Sequence, residues 1–321
     1  MVRSARRTAA ALPALIVLAS FLLPASPGRA DACLAGGRDA FFVGAVYDAQ
    51  RREDFQLDVD HFEAFLQTLR ATHCIPDERA TIFAFDDGYV RNDIVYPDAS
   101  EGAVVGRLEG FAAVHEPGDI LFFMLSSHGR FYADVQPCGA AAVGSFAALG
   151  ADPGTDGELH DCELGAALAA FPEGTPMVIV IDCSFCGGFS DSITAISGTV
   201  PDDIATHASG VPADGRIVIT GCAVTTECFG SATGGVLFSH MRDSIETGPS
   251  ACDGYTAPLF PVVQGFNLPQ RTLEPDGMCT ASEWFFATIQ SAYARRDPFD
   301  IQQQFRIKYG MSSIEEDIRI L

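Results

Sequence analysis

Lysine is all but missing from this chain: Lys308 is the only one, and 42 acidic residues against 20 basic ones give a formal charge of −22. Binding nucleic acid calls for a surplus of basic groups to neutralise phosphates, so that function class is excluded. Beyond the N-terminal thirty residues no apolar run approaches the roughly 18 to 20 residues that a membrane-spanning helix needs. There is no internal repeat, no long low-complexity segment and no cysteine–histidine spacing suited to zinc. No cofactor or metal is expected.

The N-terminus carries an export pattern. Arg3, Arg6 and Arg7 precede a mostly apolar stretch from Ala9 to Leu23, and Gly28-Arg29-Ala30 supplies a small-residue cleavage site. Residues 1–30 are therefore expected to be a signal peptide, with cleavage near Ala30 and a periplasmic or extracellular product. Its removal takes away four arginines and no acid, moving the formal charge from −22 to −26. The ten cysteines fit an oxidising compartment. Cys138 with Cys162 and Cys252 with Cys279 are plausible local staples, and if all ten pair, no thiol remains for chemistry.

Apolar runs alternate with helical patterns: strands at Ala40–Tyr47, Ala80–Phe85, Ile120–Leu125, Met177–Ile181 and Arg216–Gly221, and helices at Val59–Leu69, Ala103–Val114, Glu158–Phe171 and Val236–Ile245. Continuous apolar strands alternating with helices predict an α/β three-layer sandwich with a mostly parallel sheet. The core is expected over residues 31–247. Residues 248–321 read as a loop-rich and helical extension packed on it, with Thr280 and Glu283 as a capping box for a final helix.

Two strands end in reactive groups. Met177 to Phe189, MVIVIDCSFCGGF, delivers Asp182, Cys183, Ser184 and Cys186 into a glycine turn, and ILFFMLSSHG ends at His128 and Gly129. Ligands of such sheets bind beyond the carboxyl ends of the strands, where both groups fall.

The order FFVGAVYD, LDVDHFEAFLQTL, GDILFFMLSSHG, VIVIDCSFCGG and GGVLFSHMRDSI resembles the caspase-like cysteine peptidases, the superfamily of caspases, metacaspases and legumains. IPDERATIFAFDDGYVRND is similar to the legumain branch. The resemblance covers most of residues 38–247 and implies a caspase-like fold that acts on a peptide or protein. It also implies His128 as base and acid, with Gly129 N–H in the oxyanion hole. A thiolate beside an imidazole is the chemistry involved.

The chain departs from that pattern at the nucleophile, where the family's cysteine position holds Ser184. Three readings stay open: an inactive family member, a nucleophile shifted to Cys183 or Cys186, or a working or engineered serine. Cys183 alternates with Ser184 along an extended chain and should face the opposite side of the sheet. Cys186 either turns back toward His128 or pairs with Cys222 or Cys228. Serine chemistry also leans on a carboxylate that orients the histidine, and none is identified.

Metacaspase resemblance further places Asp58 and Asp182 in a pocket for an Arg or Lys side chain. Asp58 reads equally well as a carboxylate at the start of a helix, satisfying free N–H groups. Two rival functions remain: a non-catalytic peptide-binding or scaffold protein on the same fold, and thiol–disulfide exchange through Cys183 and Cys186. Oligomeric state is open.

Overall fold

The computed structural model describes residues 39–48, 52–86, 88–132, 144–190, 209–224, 227–228, 230–231, 234–246, 279–295 and 306–309. In chain order these form β1 (Ala40–Tyr47), α1 (Arg52–Thr72), β2 (Ala80–Ala84), the hairpin β3 (Val90–Arg91) and β4 (Ile94–Val95), and α2 (Glu101–Ala112). They continue with β5 (Ile120–Ser127), β6 (Gly129–Tyr132), β7 (Gly144–Ala148), β8 (Glu158–His160), α3 (Asp161–Leu168) and β9 (Met177–Asp182). Then come β10 (Arg216–Thr220), the short pair β11 (Gly230–Ser231) and β12 (Gly234–Gly235), α4 (Val236–Glu246), α5 (Ala281–Arg295) and β13 (Arg306–Tyr309). The expected export segment and residues 248–278 lie outside the described residues, and no described helix is long and apolar enough to cross a membrane.

The main sheet has the order β13-β10-β9-β5-β1-β2, parallel throughout except for β13, which runs antiparallel to β10. Strands covered on both faces cannot alternate apolar with polar residues, and β5 is accordingly buried along its whole length. Alternate residues feed two cores. Phe42, Val46, Phe122, Met124, Val178 and Val180 face α1, α4 and α5, while Val43, Leu121, Phe123, Leu125, Ile179 and Ile181 face α2 and α3. The expected helix over Glu158–Phe171 begins only at Asp161, because Glu158–His160 pair with β7 to close the small antiparallel sheet β6-β7-β8. The capping box at Thr280 and Glu283 is present: Thr280 N–H donates to Glu283 Oε2 at 2.9 Å and Glu283 N–H to Thr280 Oγ1 at 3.4 Å. Trp284 of the same helix is fully buried and donates from Nε1 to the Met241 carbonyl on α4.

Candidate active site

The register of three adjacent strands builds the site. Val46 of β1, Ser126 of β5 and Asp182 of β9 stand side by side in one row of the sheet. Asp48, His128 and Ser184 each follow two residues later, beyond the strand ends, with Ser184 in the turn that Cys186 N–H closes on the Cys183 carbonyl at 3.3 Å. His128 Nε2 lies 2.9 Å from Asp48 Oδ2, the imidazole half-exposed and the carboxylate buried. Phe55 of α1 packs edge-on against the imidazole, with centroids 5.3 Å apart. A buried carboxylate this close to one ring nitrogen orients the imidazole.

Ser184 sits in the turn after β9 and is partly buried. Its Oγ accepts from Cys228 N–H at 3.1 Å and donates to the Cys228 carbonyl at 3.3 Å. Cys228 is disulfide-bonded to Cys222. Among the described residues no hydrogen bond joins Ser184 to His128. Gly129 passes so close to the turn that a β carbon there would strike the Ser184 carbonyl oxygen and come within 2.8 Å of Cys183 Sγ. Glycine after the histidine is thus a packing requirement as well as a source of an N–H group.

The two sulfurs of the turn are not presented to solvent. Cys183 is 1% exposed and Cys186 fully buried, both in the core on the α2 and α3 side. Cys183 therefore faces away from Ser184, as alternation requires. Cys186 does not turn back toward His128: its thiol points at the carbonyls of Ile181 and Cys222, 3.5 and 3.8 Å away. Nor does it pair with Cys222 or Cys228, which pair with each other, and both Cys183 and Cys186 are free thiols. Burial, together with the Cys186 sulfur and the Asp182 carboxyl, pushes the Cys183 thiol well up, the opposite of what a nucleophile needs. Cys74, Cys162 and Cys279 are disulfide-bonded. The expected staples Cys138–Cys162 and Cys252–Cys279 each place one cysteine outside the described residues.

Asp58 and Asp182 come together where β5 and β9 end, on either side of Gly235. Asp58 is not at a helix start but in the second turn of α1, fully buried, where it accepts from Ser126 Oγ at 2.6 Å and Gly235 N–H at 3.0 Å and meets His61 Nδ1 at 3.1 Å. Asp182 Oδ2 accepts from Leu237 N–H at 3.0 Å, at the first turn of α4. Burial, then Cys186 and Asp58, hold the Asp182 carboxyl well above the usual carboxylate range. The Cα of Gly235 is wedged between the two carboxyl groups, 2.6 Å from Asp182 Oδ2 at its missing β position.

Behind the turn, Asp161 is fully buried, accepting from Tyr132 Oη and the Cys162 N–H, both at 2.8 Å, and from Ser145 N–H at 2.9 Å. Ser145 Oγ in turn accepts from Gly188 N–H at 2.9 Å and donates to the Phe185 carbonyl. This network fixes the backbone on which Ser184 stands. Sequence reasoning missed it, along with Asp48, although Asp48 ends a strand two residues past an inward-facing valine, the same offset that links His128 to Ser126.

No protein-family model matches the chain, and neither does any curated protein. Among solved structures, protein GSU0716 from Geobacter sulfurreducens is similar with a TM-score of 0.50 at 13% identity, covering 86% of this chain and 94% of that one. Caspase-1 from Spodoptera frugiperda gives a TM-score of 0.47 at 11% identity, with 88% and 89% covered. The likeness to GSU0716 is one of fold.

Proposed function

We propose that the chain is a caspase-like peptidase-type protein in which Ser184 takes the place of the nucleophile, His128 is its base and Asp48 orients His128. The observation that carries this reading is the 2.9 Å approach of Asp48 to His128 at the same edge of the sheet as the turn that holds Ser184. A serine hydroxyl must lose its proton during attack, and a histidine oriented by a nearby carboxylate is the arrangement that accepts it. Gly129 N–H and Ser184 N–H are the proposed oxyanion donors. An Arg or Lys side chain is the preference proposed from the resemblance alone, since Asp58 and Asp182 are buried and already accept from Ser126 Oγ, Gly235 N–H and Leu237 N–H. Disulfide bonds at Cys74, Cys162, Cys222, Cys228 and Cys279 support an exported protein.

The test is covalent capture. A fluorophosphonate probe should add once to the native protein by intact mass and not to Ser184→Ala; absence of an adduct overturns the hydrolase reading. One observation favours a second reading, that of a peptide-binding protein without turnover: both described partners of Ser184 Oγ are backbone atoms of Cys228, and neither is His128. No adduct, together with calorimetric binding of an Arg-containing peptide, would select it. Thiol–disulfide exchange needs an accessible thiol, and burial of Cys183 and Cys186 stands against it.

A further inference from the structure

We infer that Phe131 and Phe185 form a subsite for an apolar side chain of a bound peptide, that of the residue following the basic one. The inference rests on the proposed reading of the Ser184 edge as a peptide site.

Three observations meet here. Phe185, immediately after Ser184, has φ of 61°, a left-handed conformation that glycine or asparagine adopts at far lower cost than a phenylalanine. Phe131, two residues after Gly129, is 50% exposed, and its ring meets that of Phe185 edge to face with centroids 5.4 Å apart. Both are set by Ser145, which stands opposite Phe131 in the β6–β7 register and donates from Oγ to the Phe185 carbonyl. A single exposed phenylalanine needs no explanation. An aromatic pair of which one member is strained and the other exposed, both adjoining the candidate nucleophile, is an apolar shelf kept open against its conformational and solvation cost.

Placement gives the shelf its register. Asp58 lies on α1 and Asp182 meets α4 at Leu237 N–H, whereas Phe131 and Phe185 lie with β6 and β7. A peptide lying across Ser184 with its basic side chain on the α1 and α4 side therefore turns its next residue toward the two rings. Leu, Met and Phe are the side chains that gain by contact there; Asp and Gly are not.

The test uses the full chain carrying Ser184→Ala, titrated by calorimetry with three peptides that differ only after a central arginine: Arg-Phe, Arg-Gly and Arg-Asp. The Arg-Phe peptide should bind at least tenfold more tightly than Arg-Gly. Adding Phe131→Ser should bring the two within twofold while leaving Arg-Gly affinity unchanged. Phe185→Gly should likewise erase the preference while raising the melting temperature, since it relieves the backbone; a purely structural role for the ring gives the reverse. Equal affinities before mutation, or a preference that survives Phe131→Ser, overturn the inference and leave the peptide reading standing. Failure of all three peptides to bind overturns that reading too.

Discussion

His128 Nε2 approaches Asp48 Oδ2 to 2.9 Å, with the imidazole half-exposed and the carboxylate sealed beneath it. The pair orients a histidine at a strand end, as the proposed base requires, and it supplies the carboxylate that the sequence alone does not identify.

Asp48→Asn should therefore lower turnover of an Arg-containing ester by about 10⁴-fold, the scale on which an orienting carboxylate acts in serine enzymes. Peptide affinity in the Ser184→Ala background should be unchanged by the same substitution. Undiminished turnover in Asp48→Asn would remove Asp48 from the mechanism.

Replacing Ser184 with cysteine puts a far better nucleophile on the same atom position, since a free thiol is already a few per cent thiolate near neutral pH. Ser184→Cys should become reactive toward an Arg-based acyloxymethyl ketone, at least tenfold faster than the native protein, and His128→Ala should abolish the gain. Intact mass spectrometry reads both. A silent Ser184→Cys would mean that the turn does not present its side chain to a ligand.

Asp182 should make stability fall with rising pH. Its carboxyl is held above the usual carboxylate range, so the folded protein binds this proton more readily than the unfolded chain. Below about pH 4 both states are protonated and nothing is lost. As pH rises from there to the folded-state value, stability drops by as much as about 1.4 kcal/mol per pH unit from this group. Asp182→Asn, which retains an acceptor for Leu237 N–H, should raise the melting temperature at neutral pH and give no advantage near pH 3. Parallel melting curves across that window check the sign.

The free thiols Cys183 and Cys186 should resist iodoacetamide in the native protein and react after denaturation. Removing the nearby disulfide with the pair Cys222→Ser and Cys228→Ser should cost about 2 to 3 kcal/mol, from the closure entropy of a short loop. It should also raise the rate at which a fluorophosphonate labels Ser184, because the backbone that holds the Ser184 hydroxyl belongs to Cys228. An unchanged labelling rate would show that the loop does not restrain the hydroxyl.

Strand ends are legible in the residues because burial on both faces forces continuous apolar runs, and Ile120 to Ser127 is such a run from end to end. The parity of Cys183 is legible for the same reason. What escapes are relations that only tertiary contact creates. Asp58 resembles a helix-start residue in the sequence, yet α1 begins six residues earlier, at Arg52. Glu158–His160 look helical because their pairing with Phe146–Ala148 depends on a partner strand with no strong pattern of its own. The fate of Cys186 turns on which of two later cysteines lies nearer the other, and spacing cannot decide that.

The antiparallel strand β13 joins the sheet beside β10 although residues 306–309 lie far along the chain from Thr220. Until those residues have been synthesised, β10 presents an open edge of unpaired N–H and carbonyl groups. Chains cut short before Arg306 should accordingly associate through that edge, and their assembly would begin one strand away from β9 and the turn that carries Ser184.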